Sequence, residues 1–245
     1  MQDGSISAIM VTPRRRRSSR IWVVIVKPPP VGSPVELGAS RWVFEPLGGA
    51  PGEDLIAVGA DLEPETLVDA YRNGLFPMGV GVHGAGPIGW WCPTSRGVLK
   101  PRDLHISHSL RRSLRHFEIR IDTSFEAVVT GCADERRPGR WITDEFAAAY
   151  SLLHRLGWAH SVEVWHDHRL VGGLYGVSIG GLFAGESMFH TRTDASKAAL
   201  VGLVEHLDGP GEAQSPWLVD VQWRTPHLGT LGVSELSRQG YLEAV

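Results

Sequence analysis

A carboxylate and an amide stand two residues apart in Trp217-Leu218-Val219-Asp220-Val221-Gln222-Trp223. On a strand, alternation sets Val219, Val221 and Trp223 on one face and Leu218, Asp220 and Gln222 on the other. Asp220 and Gln222 then project side by side, and a carboxylate so placed can take a proton or hold a cation. A half-exposed strand whose polar face meets water accounts for a single Asp-x-Gln equally well. Glu186, in Gly185-Glu186-Ser187-Met188-Phe189, changes the balance. If its strand lies in the same sheet, two carboxylates and an amide converge, and a convergent set is a candidate catalytic site.

The elements that must position these groups are readable nearby. Val162 and Val164 alternate with Ser161, Glu163 and Trp165 before the polar turn Asp167-His168-Arg169, the pattern of a strand entering a hairpin. A second apolar run is broken at Gly180-Gly181, where a tight turn calls for positive φ, and a third strand carries Glu186. The region is therefore predicted to be a three-stranded meander. Asp194 is placed to cap a helix from Ala195 to Leu207, with Leu200, Leu203, Val204 and Leu207 at helical spacing and a stop near Gly209. Upstream, Pro64 suits a first helical position, Leu67, Val68 and Tyr71 form a stripe, and Gly74 ends that helix. Thr143 is placed to cap another, running through Phe146, Ala149, Tyr150 and Leu153 to Gly157. The glycine-rich stretch from Gly79 to Gly89 lacks the lysine and hydroxyl of a phosphate loop. Trp90 and Trp91, which follow, read either as core or as a surface on which a base can stack.

The chain has 245 residues and a formal charge of −3, which suits one or two compact domains. Its two cysteines, Cys92 and Cys132, form no disulfide framework and have no metal-ligand spacing, so a reducing compartment, the cytoplasm, is expected. His166 and His168 sit in a turn without further ligands, and no metal site is expected. No apolar run approaches the roughly 20 residues of a membrane span. Residues 1–40 are rich in Arg, Ser, Pro and Gly and are predicted to form a disordered basic extension. Arg14 to Arg17 and Arg20 within it read as a solvated tail or as a basic arm for nucleic acid. A small N-terminal domain is expected over residues 41–93 and a larger one over 94–245, the whole being a mixed α/β (α+β) sheet protein. Positive charge is locally concentrated. Ser107 is placed to cap a helix whose Leu110 and Leu114 point inward, leaving Arg111, Arg112 and Arg115 outward with Lys100 and Arg102 close by in sequence. That face is a solvated helix surface or a site for a nucleic-acid backbone.

The same segments carry a resemblance. HSVEVW, LVGGLYGV, GESMF, DASKAAL and LVDVQ, with GADL-x-PETL-x-x-AYRNGLFP from Gly59, IGWWCPTSRGVL from Ile88, LHISHSLRRSL from Leu104 and WIT from Trp141, are similar to blocks of the bacterial leucyl/phenylalanyl-tRNA protein transferases. The blocks run in order from about Arg41 to the C-terminus. The resemblance implies an acetyltransferase-type (GNAT-like) fold for the larger domain. It also implies transfer of leucine or phenylalanine, with methionine as a further candidate, from aminoacyl-tRNA to the α-amine of proteins that begin with Lys or Arg, marking them for degradation. An ester is already activated, so no cofactor is called for, and a monomer is expected.

By the same resemblance Asp220, alone or through Gln222, would deprotonate the amine, and Glu186 would orient an amino group or complement a cation. Leu174, Phe183, Met188 and Leu203 would form the amino-acid pocket, with Tyr71, Met78, Trp141 and Tyr150 also binding substrate, Trp141 at the terminal adenosine. Lys100, Arg102, Arg111, Arg112 and Arg115 would meet tRNA. Two positions depart from the family. Phe76-Pro77-Met78 stands for Phe-Pro-Trp, for which Tyr71, Trp90 or Trp91 is placed to compensate, and His190-Thr191 replaces Ser-Arg, with Arg192 one place later. An acyl-CoA-dependent N-acetyltransferase is the rival reading, weakened because Thr193-Asp194-Ala195-Ser196 enters the helix where such enzymes carry a glycine-rich pyrophosphate turn. A noncatalytic tRNA-binding module would leave Asp220 and Gln222 without a task.

Overall fold

The computed structural model describes residues 25–26, 33–48, 52–137, 139–208 and 217–245. Arg14 to Arg17 and Arg20 lie outside them.

In chain order the strands and helices are β1 (Ile25–Val26), β2 (Leu55–Val58), α1 (Pro64–Arg72), β3 (Phe76–Gly79), β4 (Ile88–Trp91), β5 (Ser95–Leu99), α2 (His108–Leu114), β6 (Glu118–Ile121) and α3 (Phe125–Cys132). There follow α4 (Asp144–Arg155), β7 (Ala159–His166), β8 (Arg169–Ile179), β9 (Leu182–His190), α5 (Ala195–Asp208), β10 (Leu218–Asp220), α6 (Pro226–Gly229), β11 (Ser234–Ser237) and α7 (Arg238–Leu242).

Val162 and Val164 alternate with Ser161 and Glu163, yet all four are buried, so β7 is covered on both faces. It lies inside a mixed eight-stranded sheet of order β1-β6-β7-β8-β9-β10-β5-β11. β7, β8 and β9 form the expected antiparallel meander. Its turns use positive φ at Asp167 (49°), His168 (60°) and Gly180 (56°). β10 joins β9 in parallel and β5 antiparallel. A separate antiparallel sheet, β2-β4-β3, belongs to the N-terminal part.

The faces sort by residue parity. Val162, Leu174, Phe183 and Val219 pack with α5 and with Leu110 and Leu114 of α2. Tyr175, Val177 and Ala184, on the opposite face, pack with α3, α4 and α1, and that cluster runs on into Trp90 of β4. The two expected domains thus share one core. Trp90 is buried and donates from Nε1 to the Gly59 carbonyl at 2.9 Å, the core alternative rather than the base-stacking one.

Three local expectations need correction. The apolar stripe expected on helix α5 widens, because Ala195, Ser196 and every residue from Ala198 to Val204 are buried. Asp194 has φ 67°, outside the extended geometry of a capping residue, and its carboxylate instead accepts from Ser113 Oγ and Lys197 Nζ, both at 2.8 Å, tying α2 to α5. Within the extension expected to be disordered, Ile25 and Val26 pair in parallel with Ile119 and Arg120 of β6. Val35 exchanges bonds with the Leu156 carbonyl and the Trp158 indole, both 2.9 Å.

Part of the glycine-rich stretch between β3 and β4 leans backbone-to-backbone on the segment before α4. A Cβ built on Gly84, whose φ is 77°, would lie 1.8 Å from the Trp141 carbonyl oxygen. Gly84→Ala is therefore expected to destabilise the protein by at least about 1 kcal/mol in denaturant unfolding, from combined backbone and steric conflict; an unchanged midpoint would show that the loop does not press on Trp141.

Candidate active site

Asp220 is the most enclosed group of the expected set. Strand β5 sets Arg96 beside it, and Arg96 donates from Nε to Oδ1 at 2.9 Å and from Nη2 to Oδ2 at 2.6 Å. Tyr241 Oη donates to Oδ2 at 2.9 Å and the Gln222 backbone N–H to Oδ1 at 2.8 Å. Both ions are shut away, Arg96 at 1% and Asp220 at 0% side-chain exposure. The guanidinium lies 4.7 Å from the Phe76 ring centroid and 4.4 Å from that of Tyr241, and its Nη1 donates to the Gly74 carbonyl at 3.2 Å. Burial works against the Arg96 charge, but the Asp220 carboxylate outweighs it and holds the guanidinium above its usual range. With four donors and no open surface, Asp220 is not poised to take a proton from substrate. Of the two roles expected for Asp220, taking a proton or holding a charged group, this enclosure by Arg96, Tyr241 and the Gln222 N–H favours the second.

The shared face of Asp220 and Gln222 is also corrected. Strand β10 ends at Asp220, because Gln222 adopts φ 58°, held by the bond from its own N–H to the Asp220 carboxylate. The left-handed residue breaks the alternation and turns the Gln222 side chain into the opposite compartment, with Val219 and Val221. There its Nε2 is buried and has no hydrogen-bond partner among the described residues.

Glu186 reaches the same place from β9. Tyr175 pairs with Ser187 and Gly176 with Gly185, so Glu186 is the extra residue of a β-bulge, a device that re-aims a side chain. Pairing of β9 with β10 stops at Ala184 and Asp220, and a cavity of about 250 Å³ is lined by the residues beyond that point. Glu186 lines it, and its Oε1 is buried without a partner among the described residues. Its Oε2 accepts from Tyr150 Oη at 2.7 Å, and Tyr71 Oη and Tyr150 Oη are hydrogen-bonded at 2.7 Å. Burial pushes the Glu186 carboxyl up to about 7; the Tyr71 and Tyr150 hydroxyls oppose the shift, Asp220 adds to it, and Arg96 opposes it. Burial, then Glu186, keeps both phenols protonated.

Leu174, Phe183, Met188 and Leu203 all line this cavity. Leu200, Val219, Val221, Thr225, His227 and Leu228 also line it without having been singled out as pocket residues; Leu200, one helical turn from Leu203, and Val219 and Val221, alternating on one strand face, carried a sequence signal. Tyr71 and Tyr150, expected to touch substrate, expose about 1% and 0% of their surface and lie behind Glu186 instead. Met78 and Trp141 are half-buried and outside the cavity. Met78 offers its carbonyl to Trp91 Nε1 at 3.1 Å, and Trp141 meets Phe146 edge-on at 5.3 Å.

Lys100, Arg102, Arg111, Arg112 and Arg115 are all exposed. Ser107 Oγ caps α2 through the Leu110 N–H, and Leu110 and Leu114 pack in the cluster that holds Leu200 and Leu203. The basic helix and the cavity therefore lie on the same side of the large sheet. No group of three or more His, Cys, Asp or Glu side chains among the described residues is arranged to hold a metal ion, and no helix among them is long and apolar enough to cross a membrane.

Residues 98–245 match the family described as leucyl/phenylalanyl-tRNA protein transferase, and residues 60–94 match its N-terminal domain. A leucyl/phenylalanyl-tRNA protein transferase of Syntrophus aciditrophicus (strain SB) is 47% identical over 205 residues, 81% of this chain and 82% of its own. The protein of that name from Tolumonas auensis is 49% identical over 77% of this chain and 79% of its own, and that from Aromatoleum aromaticum 50% identical over 76% and 77%. A solved protein from Staphylococcus epidermidis ATCC 12228, described as functionally unknown, is similar over 58% of this chain and 57% of its own at 11% identity and a TM-score of 0.40, too distant a likeness to carry an argument.

Two outcomes follow from the buried charges. Arg96→Met strands the Asp220 carboxylate and is expected to cost about 3–5 kcal/mol in denaturant unfolding, much of it recovered in Arg96→Met/Asp220→Leu; equal losses in the single and double variants would refute the pairing. The Glu186 pKa of about 7 exceeds the ordinary 4.5, so the folded protein binds the extra proton and loses stability as pH rises from 4.5 to 7. Glu186→Gln removes that loss and should gain on the wild type by up to about 3 kcal/mol between pH 4.5 and 8; a pH-independent difference would rule the shift out.

Proposed function

Because the chain belongs to the leucyl/phenylalanyl-tRNA protein transferase family, we propose that the cavity beside Glu186 and Gln222 holds the aminoacyl group of a tRNA while a protein amine displaces the tRNA. The reaction is aminoacyl transfer from aminoacyl-tRNA to a protein N-terminus. The observation that carries the site assignment is a pair of orphans: Glu186 Oε1 and Gln222 Nε2, one acceptor and one donor, both buried without partners among the described residues in the wall of one apolar cavity. An unmatched buried polar group costs about 1–3 kcal/mol, so two of opposite kind in one wall fit a ligand that satisfies both.

Leu174, Phe183, Met188 and Leu203 give the leucine or phenylalanine side chain its apolar surroundings, and the flexible thioether accommodates either shape, methionine included. The α-amine of the acceptor attacks the ester carbonyl carbon. Gln222 Nε2 donates to the carbonyl oxygen as it gains negative charge. Glu186, with a pKa near the operating pH, accepts the proton the amine must lose, and the tetrahedral intermediate collapses with cleavage of the C–O bond. The 3′-oxygen of the tRNA leaves and takes up a proton, and a peptide bond remains. An α-amine titrates near 7.7–8.0, so the base has only a modest task. Asp220 acts at one remove, by fixing the backbone of Gln222.

Lys100, Arg102, Arg111, Arg112 and Arg115 form the face that takes tRNA phosphates without reading sequence, as an enzyme serving more than one tRNA requires. The acceptor begins with Lys or Arg, as the family resemblance implies. The protein works as a cytoplasmic monomer. Residues 94–245 form the GNAT-like unit and 41–93 the smaller one; the separate β2-β4-β3 sheet and the early end of β9–β10 pairing support that reading.

Labelled leucine is expected to pass from leucyl-tRNA to a protein with N-terminal arginine and not to an N-terminal alanine control. Glu186→Gln and Gln222→Leu should each lower kcat by about 10²-fold. Glu186→Gln should also flatten the rise of rate with pH around 7. Transfer at wild-type rate by Gln222→Leu would remove Gln222 from the chemistry, and no transfer by the folded wild type would overturn the reading.

A further inference from the structure

We propose that Trp223 is a stacking surface for a nucleobase in the single-stranded 3′ end of the donor tRNA, a proposal that rests on the transferase reading above. Trp223 follows Gln222, whose amide is in the cavity wall. An acyl group seated in that cavity carries a nucleoside outside it, and Trp223 is the next residue along the chain from Gln222.

The indole is both open and fixed. It is 37% exposed, unusual for so large an apolar group. Yet its Nε1 donates to Asp54 Oδ2 at 2.9 Å, and Asp54 is itself held by the Thr94 N–H at 2.8 Å. Phe76 and Trp91 meet the ring edge-on, with centroids at 5.2 and 6.2 Å and interplanar angles of 86° and 70°. No neighbour among these lies parallel to it. A rigid aromatic with open surface stacks a base at small entropic cost, and any base will do.

Trp223 also answers the departure at Met78. On β3, Phe76 and Met78 share a face, and they pair with Trp91 and Gly89 of β4 on that same face. Trp223 packs against that face through Phe76 and Trp91. Of the aromatic residues placed to compensate for the missing tryptophan, Tyr71 and Trp90 are buried at about 1% exposure and offer no surface. Trp223 supplies an indole on the side where the family residue would stand.

The test compares two donors, leucyl-tRNA and a leucyl ester of a base-free alcohol, on wild type, Trp223→Leu and Trp223→Phe, with melting temperatures to confirm folding. Trp223→Leu is expected to raise KM for leucyl-tRNA at least tenfold with kcat within twofold. Trp223→Phe should restore most of it, and KM for the base-free ester should not change. An unchanged KM for leucyl-tRNA, or a parallel rise for both donors, overturns the proposal. Failure of the folded wild type to use either donor sinks the transferase reading itself, a result distinct from these.

Discussion

The buried ion pair of Arg96 with Asp220 is the interaction on which the rest of the site depends. Each ion alone would cost several kcal/mol in this interior, so neither can be buried until the other, and the groups that complete its hydrogen bonds, are in place. Those groups come from separate regions: the Gly74 carbonyl and Phe76 ring from the N-terminal part, Asp220 from β10, and Tyr241 from α7. Docking of the small sheet, the register of β5 against β10 and the position of the C-terminal helix are therefore coupled energetically. The same bonds enclose the Asp220 carboxylate and make it an anchor for the Gln222 backbone.

The cavity exists because two regular patterns are interrupted at one level. β9 gains an extra residue at Glu186, and β10 stops at Asp220 when Gln222 turns left-handed. Had the parallel pair continued, its ladder would have closed the space. A non-glycine residue at positive φ costs on the order of 1–3 kcal/mol, and the Gln222 N–H bond to a carboxylate offsets part of it. Each interruption leaves one polar atom without a partner, Glu186 Oε1 and Gln222 Nε2. Regularity is given up where a ligand is to be met.

Two carboxylates in one neighbourhood have been driven to different roles by what surrounds them. Asp220 has a cation and two further donors, the Tyr241 hydroxyl and the Gln222 N–H. Glu186 has tyrosine hydroxyls beside it and an Oε1 with no partner among the described residues, and burial, with the Asp220 charge adding to it, brings it to about 7. Environments that separate two acids in this way are what assign acid, base and counter-ion. The Tyr71–Tyr150 chain behind Glu186 runs through the shared core, so the N-terminal part shapes the chemistry as well as the fold.

Local periodicity and end signals determined much of this molecule. The β7–β9 meander, the helices opened by Pro64, Ser107 and Thr143 and the outward arginines of α2 were legible because each rests on residues close in sequence; the apolar set Leu174, Phe183, Met188 and Leu203 came only through the family resemblance. The family, too, was legible in ordered short blocks. Tertiary structure decided the rest. Arg96 pairs with a residue 124 positions away, and no spacing rule reaches that far; in sequence nothing singled it out. Tyr71 and Tyr150 passed for substrate contacts until burial placed them behind Glu186. The strand expected to carry Asp220 and Gln222 on one face was broken by a backbone bond to a side chain, a choice that alternation of residue types does not encode. Sequence specifies what each segment prefers by itself; which buried charge meets which, and where a ladder must stop, is settled only when distant segments exclude water together.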